Sequence, residues 1–202
     1  MKDIEKVLRS ARPTSAAAAD AAKRFAQRAE EAGLLDVAYT TLDSPFGPLL
    51  VAATHRGLVR IALHPEQPDE VLAELADRVS PRVMERAERI DAIRRELDDY
   101  FEGRRRTFDL PLDWTLTRGF ARRVLDATAR IPYGSVSTYR DVAARAGNPR
   151  AMRAAGNALG SNPIPIVVPC HRVIRTGGSL GNYGGGVEMK ASLLRLEGAI
   201  ER

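Results

Sequence analysis

The sequence predicts an α+β fold with two units, an N-terminal α/β unit with a small antiparallel sheet and a C-terminal unit that contains a helix-turn-helix. Three strand-like segments separated by turns fall in the first half of the chain. Beyond residue 117 the pattern is mainly helical, and a short turn containing glycine joins two of the helices. The 202 residues are 44% hydrophobic, which is enough for the core of one large or two small domains.

A helical extension is predicted over residues 1–35. Residues 16–32 are rich in alanine and interspersed with charged side chains, a composition with high helix propensity. Gly33 is placed to end this helix. No reactive motif lies in the segment, so we expect a solvated or partly docked helix that is dispensable for chemistry.

The N-terminal unit is predicted to span residues 36–112 and to begin with an antiparallel meander. Turn-forming residues separate its strand candidates, which lie at residues 36–42, 49–54 and 58–63. Two helices follow, at residues 68–79 and 89–103. The second places four apolar side chains on one face, namely Ile90, Ile93, Leu97 and Phe101.

The turns of this unit carry His55, His64 and a run of three arginines at residues 104–106. We expect both histidines to face solvent. The arginine run favours a solvated loop, and contact with DNA phosphates is the less favoured interpretation.

The C-terminal unit is predicted to span residues 113–202. A helix that includes Phe120 and Leu125 ends at residues 131–134, and Thr138 is a candidate N-cap for a short helix that reaches residue 146. The turn at residues 147–149 and a helix at 150–159 complete a helix-turn-helix. Small residues and arginines on this last helix suit either a DNA groove or close packing against a neighbouring helix.

The charge, the apolar runs and the motifs of the chain restrict which classes of function are possible. A formal net charge of +5 and a pI of 9.7 favour a polyanionic partner, although an ordinary arginine-rich protein has the same charge. No apolar run reaches the length of a membrane span, and the amphipathic residues 1–10 do not resemble a secretory signal. Neither a metal-ligand spacing nor a nucleotide-binding glycine motif is present, so we expect no cofactor and no metal.

Cys170 is the only cysteine of the chain, and His171 follows it directly. A single cysteine suits a reducing compartment, so we expect a cytoplasmic protein. An apolar segment that ends at Pro169 can hold the thiol rigidly at the floor of a pocket. Because a free thiol is mostly protonated at neutral pH, a nucleophilic cysteine needs a base such as this imidazole. The alternative is an inert, buried cysteine.

Several motifs in order resemble one family, the O6-alkylguanine-DNA alkyltransferases, also called methylated-DNA–protein-cysteine methyltransferases. The resemblance is strong over residues 117–199, weaker over 36–116 and absent over 1–35. The matching motifs lie at residues 131–134, 146–149, 153–156, 161–165, 169–173 and 181–186.

The resemblance implies a ribonuclease-H-like N-terminal unit and a winged-helix-like C-terminal unit that together repair DNA by direct reversal. The alkyl group of O6-alkylguanine, and of O4-alkylthymine, would move irreversibly to Cys170 after base flipping. His171 would be the base that forms the thiolate through a bridging water, and Glu197 would orient that histidine. Tyr139 would donate a proton or hydrogen bond to the guanine.

The same resemblance implies further site residues. Asn162 would act as a hinge that ties neighbouring backbone groups, and the backbone of Val168 and Cys170 would read the guanine edge. The alkyl pocket would be lined by Tyr183, Gly184 and Gly185. Some relatives have a serine where Gly184 stands, so we expect some tolerance of longer alkyl groups.

The DNA contact implied by the resemblance is made in the minor groove by the second helix of the helix-turn-helix. Arg153 would fill the space left by the flipped base, and Ala154, Ala155 and Gly156 would allow close approach. The partner would be double-stranded DNA that carries O6-alkylguanine. The protein would be a monomer in solution, and cooperative binding along DNA is left open.

Three other functions compete with alkyl transfer. A non-catalytic lesion binder on the same fold would lack the cysteine. A helix-turn-helix regulator would not need adjacent cysteine and histidine, and would more often dimerise on paired half-sites. A cysteine hydrolase usually takes these two residues from separate segments.

Overall fold

The computed structural model describes residues 15–201 of the chain. The amphipathic residues 1–10 lie outside the described residues. Helix α1 covers Ser15–Glu31. Gly33 adopts a left-handed φ of 68°, and the Leu34 amide donates to the Ala29 carbonyl at 2.7 Å, so the predicted helix end is confirmed.

The three predicted strands form the predicted meander. Strands β1 (Val37–Leu42), β2 (Leu49–Thr54) and β3 (Gly57–Ala62) pair antiparallel. A fourth strand, β4 (Val83–Glu85), joins the free edge of β1 in parallel, so the sheet is mixed and has the order β3-β2-β1-β4. Strand β4 was not predicted from the sequence, because three residues are too few to show a strand period.

Both faces of the sheet are covered, which explains why every residue of β2 is buried. Leu50 and Ala52 point to a small core that includes Val71 and Leu75 of helix α2 (Pro68–Arg78). The alternate residues of β2 point to the main core. That core receives Ile93, Leu97 and Tyr100 of helix α3 (Asp91–Phe101), which follows a 3₁₀ turn at Ala87–Arg89.

The C-terminal unit contains the predicted helix-turn-helix. Thr138 and Asp141 form a capping box at the start of the first helix, so the predicted N-cap is confirmed. A two-stranded parallel ribbon accompanies these helices. In order the elements are α4 (Gly119–Ala129), β5 (Ser137–Thr138), α5 (Tyr139–Arg145), α6 (Met152–Gly160), a 3₁₀ turn (Cys170–Arg172), β6 (Val173–Ile174) and α7 (Gly186–Leu196).

The two units share one apolar core and interlock through backbone hydrogen bonds. The Ile61 amide of β3 donates to the Pro163 carbonyl at 2.8 Å. At the start of β3, Gly57 has a φ of 128°, and a Cβ there would lie 2.0 Å from the Pro111 oxygen. Only glycine permits this approach, which lets the segment that links the units run beside the sheet.

Exposed features agree with the sequence analysis. His55 and His64 face solvent. In the arginine run, Arg104 pairs with Asp99 and with Glu102, and Arg105 lies 3.3 Å from Glu96. These ion pairs support the solvated-loop interpretation over contact with phosphates. Within residues 15–201 no helix has the length and apolar character needed to cross a membrane.

Candidate active site

Cys170 opens a single 3₁₀ turn at the end of an irregular loop that follows helix α6. Upstream in that loop, Ile166 has a φ of 73°, a left-handed conformation that is strained for a β-branched residue. Its side chain is fully buried, so the surrounding core holds the strained backbone in place. The thiol therefore sits on a rigid turn, as the apolar lead-in predicts.

Asn162 ties this loop together. Its Nδ2 donates to the Val168 carbonyl at 2.8 Å and lies 3.1 Å from Cys170 Sγ, and its Oδ1 accepts from the Ile164 amide at 3.1 Å. The side chain is buried, so these bonds are shielded from water. Through them, one amide side chain fixes both the loop and the thiol.

His171 lies beside Glu197 in a fully buried pair. The distance from His171 Nε2 to Glu197 Oε1 is 2.9 Å. Glu197 directly follows helix α7, which folds back across the unit to bring the two residues together. A carboxylate partner holds the ring proton on Nε2, which leaves the Nδ1 lone pair free to accept a proton. Nδ1 is buried and has no hydrogen-bond partner among the described residues.

Two further side chains hold Glu197, and neither role was predicted from the sequence. Arg172 donates from Nε to Oε2 and from Nη2 to Oε1, both at 2.8 Å. Tyr100 of helix α3 donates its hydroxyl to Oε1 at 2.6 Å. Burial opposes ionisation of Glu197, but the hydrogen bonds from His171, Arg172 and Tyr100 outweigh it and lower its pKa to about 2.

Burial sets the protonation states of the reacting pair. It lowers the pKa of His171, although the hydrogen bond to Glu197 acts in the opposite direction. It also raises the pKa of the Cys170 thiol, and the Asn162 hydrogen bond offsets this only in part. At neutral pH the resting pair is therefore a neutral thiol beside a neutral imidazole.

Cys170 is reached from two cavities that adjoin each other. A cavity of about 600 Å³ is lined by Cys170, Tyr139, Gly156 and Tyr183 among others. It lies between the helix-turn-helix and the loop that precedes α7, and Gly184 also contributes to its wall. A second cavity of about 390 Å³ shares Cys170, Tyr183 and Gly184 and extends toward Arg60 and Arg78 of the N-terminal unit.

The described geometry places most predicted site residues around Cys170, with two departures. Gly185 contributes to neither cavity wall, because its backbone packs against Met189 and Leu63, where a Cβ would lie 2.3 Å from the Met189 sulfur. The Val168 amide donates to Ile164, and its carbonyl accepts from both Cys170 and Asn162. Reading of the guanine edge by Val168 would require one of these bonds to break.

Helix α6 presents an exposed face and a buried face, and the residues predicted to allow close approach to DNA are divided between them. Arg153 and Ala154 are exposed, and Gly156 borders the larger cavity beside the Tyr139 ring. Ala155 is fully buried, because its position on the helix faces the core of the unit, so its methyl group is not available to DNA. The packing alternative is therefore confirmed for the buried face of the helix, and contact of the exposed face with DNA stays a prediction.

Lys190 is a further buried cation that the sequence analysis missed. Its Nζ donates to the carbonyls of Val173 and Leu180, each at 2.6 Å. Burial lowers its pKa to about 8. Lys190 thereby joins helix α7 to the segment after Cys170. Within residues 15–201, no group of three or more histidine, cysteine or acidic side chains is arranged to hold a metal ion.

Two family models match the chain in sequence order. The ribonuclease-like domain of 6-O-methylguanine DNA methyltransferase matches residues 37–114, and the DNA-binding domain of the same family matches residues 119–199. The second match contains Cys170, His171 and Glu197.

Individual relatives agree with these matches. The constitutive methylated-DNA–protein-cysteine methyltransferase of Bacillus subtilis is 38% identical, over 79% of this chain and 94% of the relative. That of Methanosarcina acetivorans is 37% identical, over 80% and 98%.

Solved structures give the same result. The O6-methylguanine methyltransferase of Mycobacterium tuberculosis superposes with a TM-score of 0.68 at 36% identity, over 82% of this chain and 95% of that one. The OGT protein of the same organism in complex with DNA superposes with a TM-score of 0.64 at 37% identity, over 80% and 93%.

Proposed function

The chain belongs to the 6-O-methylguanine DNA methyltransferase family, and from this premise we propose that it repairs DNA by transferring the alkyl group of O6-alkylguanine to its own Cys170. The observation that carries the proposal is a buried series in which Cys170 is followed in the chain by His171, His171 contacts Glu197, and Asn162 lies against the thiol. Since the acceptor is the protein itself and a thioether is stable, each molecule acts once.

The series supplies a base for the thiol. In the proposed step, His171 Nδ1 takes the Cys170 proton, directly or through a water molecule, while Glu197 stabilises the positive charge that forms on the ring. The thiolate attacks the alkyl carbon, the S–C bond forms and the C–O6 bond breaks. The proton lost by the thiol is balanced by one gained by the departing guanine.

Tyr139 is the proposed donor to the guanine. It starts helix α5, lines the larger cavity together with Cys170, and is half-buried there. Burial raises the pKa of its hydroxyl, so the group is protonated at neutral pH and able to donate. A hydrogen bond or proton from Tyr139 would make the guanine a better leaving group.

The DNA-binding surface is proposed to be helix α6, inserted in the minor groove. Arg153 is exposed at its first turn, and Ala154 beside it adds little bulk, which permits close approach. Arg153 would take the place of the flipped base. The excess of arginine would attract phosphates without choosing a sequence, as suits a protein that scans DNA.

Other features stay predictions. These are a monomer in solution, cooperative binding along DNA, repair of O4-alkylthymine and a cytoplasmic location. Tolerance of longer alkyl groups is supported by Gly184, which has open space where a side chain would lie. This tolerance predicts measurable benzyl transfer from O6-benzylguanine in DNA. Efficient methyl transfer without any benzyl transfer would refute the tolerance.

The deciding experiment is intact mass spectrometry after reaction with a duplex that holds one O6-methylguanine. We expect one added methyl group per molecule, and none on Cys170→Ser. The serine variant should still bind the lesion, which shows that it is folded. Tight lesion binding by the unmodified protein without any added mass would instead identify a non-catalytic lesion binder.

A further inference from the structure

Tyr100 brings a side chain of the N-terminal unit to the centre of the active site. It lies near the end of helix α3, 97 residues before Glu197 in the sequence, and its hydroxyl donates to Glu197 Oε1 at 2.6 Å. The side chain is fully buried. Rings from Phe101, Phe108 and Tyr133 surround it, with centroids between 5.2 and 6.3 Å away. Its orientation is therefore fixed by packing.

The direction of this hydrogen bond follows from the two groups. Burial raises the pKa of the Tyr100 phenol well above its usual value, so the hydroxyl keeps its proton, while Glu197 is ionised. The phenol must then donate to the carboxylate. The acceptor is Oε1, the same oxygen that faces His171 Nε2. Tyr100 and His171 therefore hydrogen-bond to the same carboxylate oxygen.

We propose that Tyr100 is a positioning residue for alkyl transfer, which fixes the Glu197 carboxylate and limits how strongly it raises the basicity of His171. The inference rests on the proposed function of Cys170 and adds a group from the other unit to its machinery. Without the Tyr100 donor, more of the negative charge of Glu197 would act on His171. The carboxylate would then stabilise the protonated ring more strongly.

The remaining charged and titratable groups around the pair are fixed by the fold. Arg172 holds both oxygens of Glu197, and its positive charge lowers the pKa of His171. Lys190 acts on His171 in the same direction. Neither the Arg172 bonds to Glu197 nor the effect of Lys190 on His171 involves the Tyr100 hydroxyl as a partner. The other groups that face the site are Cys170, Tyr133, Tyr183 and, over the Tyr133 ring, Arg106.

The test is Tyr100→Phe, which keeps the ring and removes the hydroxyl. Single-turnover methyl transfer is measured against pH with the O6-methylguanine duplex in excess. We expect the rate at neutral pH to fall roughly tenfold, as for loss of one hydrogen bond to a charged group. We also expect the acid limb of the profile to move to higher pH by ~0.5–1 unit, because His171 becomes more basic.

Tyr133→Phe is the matched control. The Tyr133 hydroxyl donates at 2.9 Å to the Leu196 carbonyl, next to Glu197 in sequence, and does not touch the carboxylate. Both variants lose one partly or fully buried hydroxyl, so thermal unfolding reports the shared structural effect. Only Tyr100→Phe should move the acid limb. Equal movement in both variants would overturn the proposal.

A second replacement should move the acid limb in the opposite direction, so the test does not depend on Tyr100→Phe alone. Tyr100 replaced by 3-fluorotyrosine keeps the hydrogen bond but makes the phenol a stronger donor, so the acid limb should move to lower pH. Profiles that superpose on that of the unmodified protein for both replacements would leave Tyr100 with a purely structural role. Failure of the proposed function would look different, because the unmodified protein would gain no methyl group.

Discussion

The two units of the molecule carry opposite charge. Residues 37–114 contain eleven arginines and fifteen carboxylates, a formal charge of −4, whereas residues 119–199 contain eleven arginines and lysines and four carboxylates, a formal charge of +7. The basic character of the chain is therefore a property of its C-terminal unit. That unit carries the helix-turn-helix, and its field would attract DNA phosphates without contribution from the sheet.

The units also differ in how their charges are paired. Most arginines with ion pairs among the described residues belong to the N-terminal unit, where Arg60, Arg78 and Arg104 each meet carboxylates of the same unit. In the C-terminal unit, the exposed Arg153 has no carboxylate within salt-bridge distance among residues 15–201. The N-terminal unit thus pairs many of its arginines with its own carboxylates, whereas Arg153 of the C-terminal unit has no such pair among the described residues.

Two carboxylates are buried within residues 15–201, Asp113 at the boundary between the units and Glu197 in the C-terminal unit, and they differ in how they are held. Asp113 is held by the hydroxyls of Thr54 and Thr115 and by the exposed Arg56. Glu197 is held by His171, by the buried Arg172 and by Tyr100 from the other unit. The Asp113 carboxylate is thus held by hydroxyls and an exposed cation. The Glu197 carboxylate is held by a buried cation and by side chains from both units.

The largest expected effect comes from exchanging these carboxylates for amides. Among the described residues, Glu197 is the one carboxylate paired with the buried guanidinium of Arg172, so we expect Glu197→Gln to lose about 3–5 kcal/mol in the free energy of unfolding. The transfer rate should fall by about 100-fold or more, since a neutral amide cannot stabilise the charged His171 ring. Urea unfolding and single-turnover transfer measure the two effects.

Asp113→Asn is the matched control for this prediction. Its partners are mainly hydroxyls, which can rotate to suit an amide, so we expect a loss of about 1 kcal/mol and an unchanged transfer rate. Equal losses of stability and activity in the two variants would remove the distinction between the two carboxylates.

Acid unfolding sharpens the same comparison. The pKa of Glu197 is lowered from 4.5 to about 2 in the folded protein, so its stabilisation is complete above pH 4.5 and is lost as the pH falls toward 2. The expected size is about 3 kcal/mol. His171 has a lowered pKa too, so stability should already begin to fall below about pH 6.5.

Urea unfolding at a series of pH values tests this order. Glu197→Gln should lose most of the step between pH 4.5 and 2, while Asp113→Asn should retain most of it, because the pKa of Asp113 is lowered less by its hydroxyl partners than that of Glu197 is by a buried cation. A step of the same size in Glu197→Gln would assign the acid sensitivity to other carboxylates.

The smallest expected effect concerns the exposed cations. Arg153→Ala should reduce the slope of log affinity against log salt by about one for duplex DNA without a lesion, because one unpaired charge is lost. Arg104→Ala should leave the slope unchanged, since Arg104 is already paired with Asp99 and Glu102. Fluorescence anisotropy across salt concentrations measures both slopes, and a reversed order would place the DNA on the N-terminal unit.

Local patterns in the sequence predicted much of this molecule. Three strands, the helices of both units and the N-cap at Thr138 follow from turn residues, periodicity and capping, which act over a few residues. Strand β4 was not predicted because it is too short to show a period. The burial of Ala155 was not predicted because a stripe of small residues does not reveal which face of the helix is buried.

By itself, the sequence determined the composition of the site: the adjacent Cys170 and His171, the helix-turn-helix and, by family resemblance, Glu197. Tertiary structure alone decided how Glu197 is held, because Tyr100 and Arg172 reach it from segments 97 and 25 residues away. A hydrogen bond between distant segments depends on the packing of both units around one core, and no pattern along the chain encodes that distance.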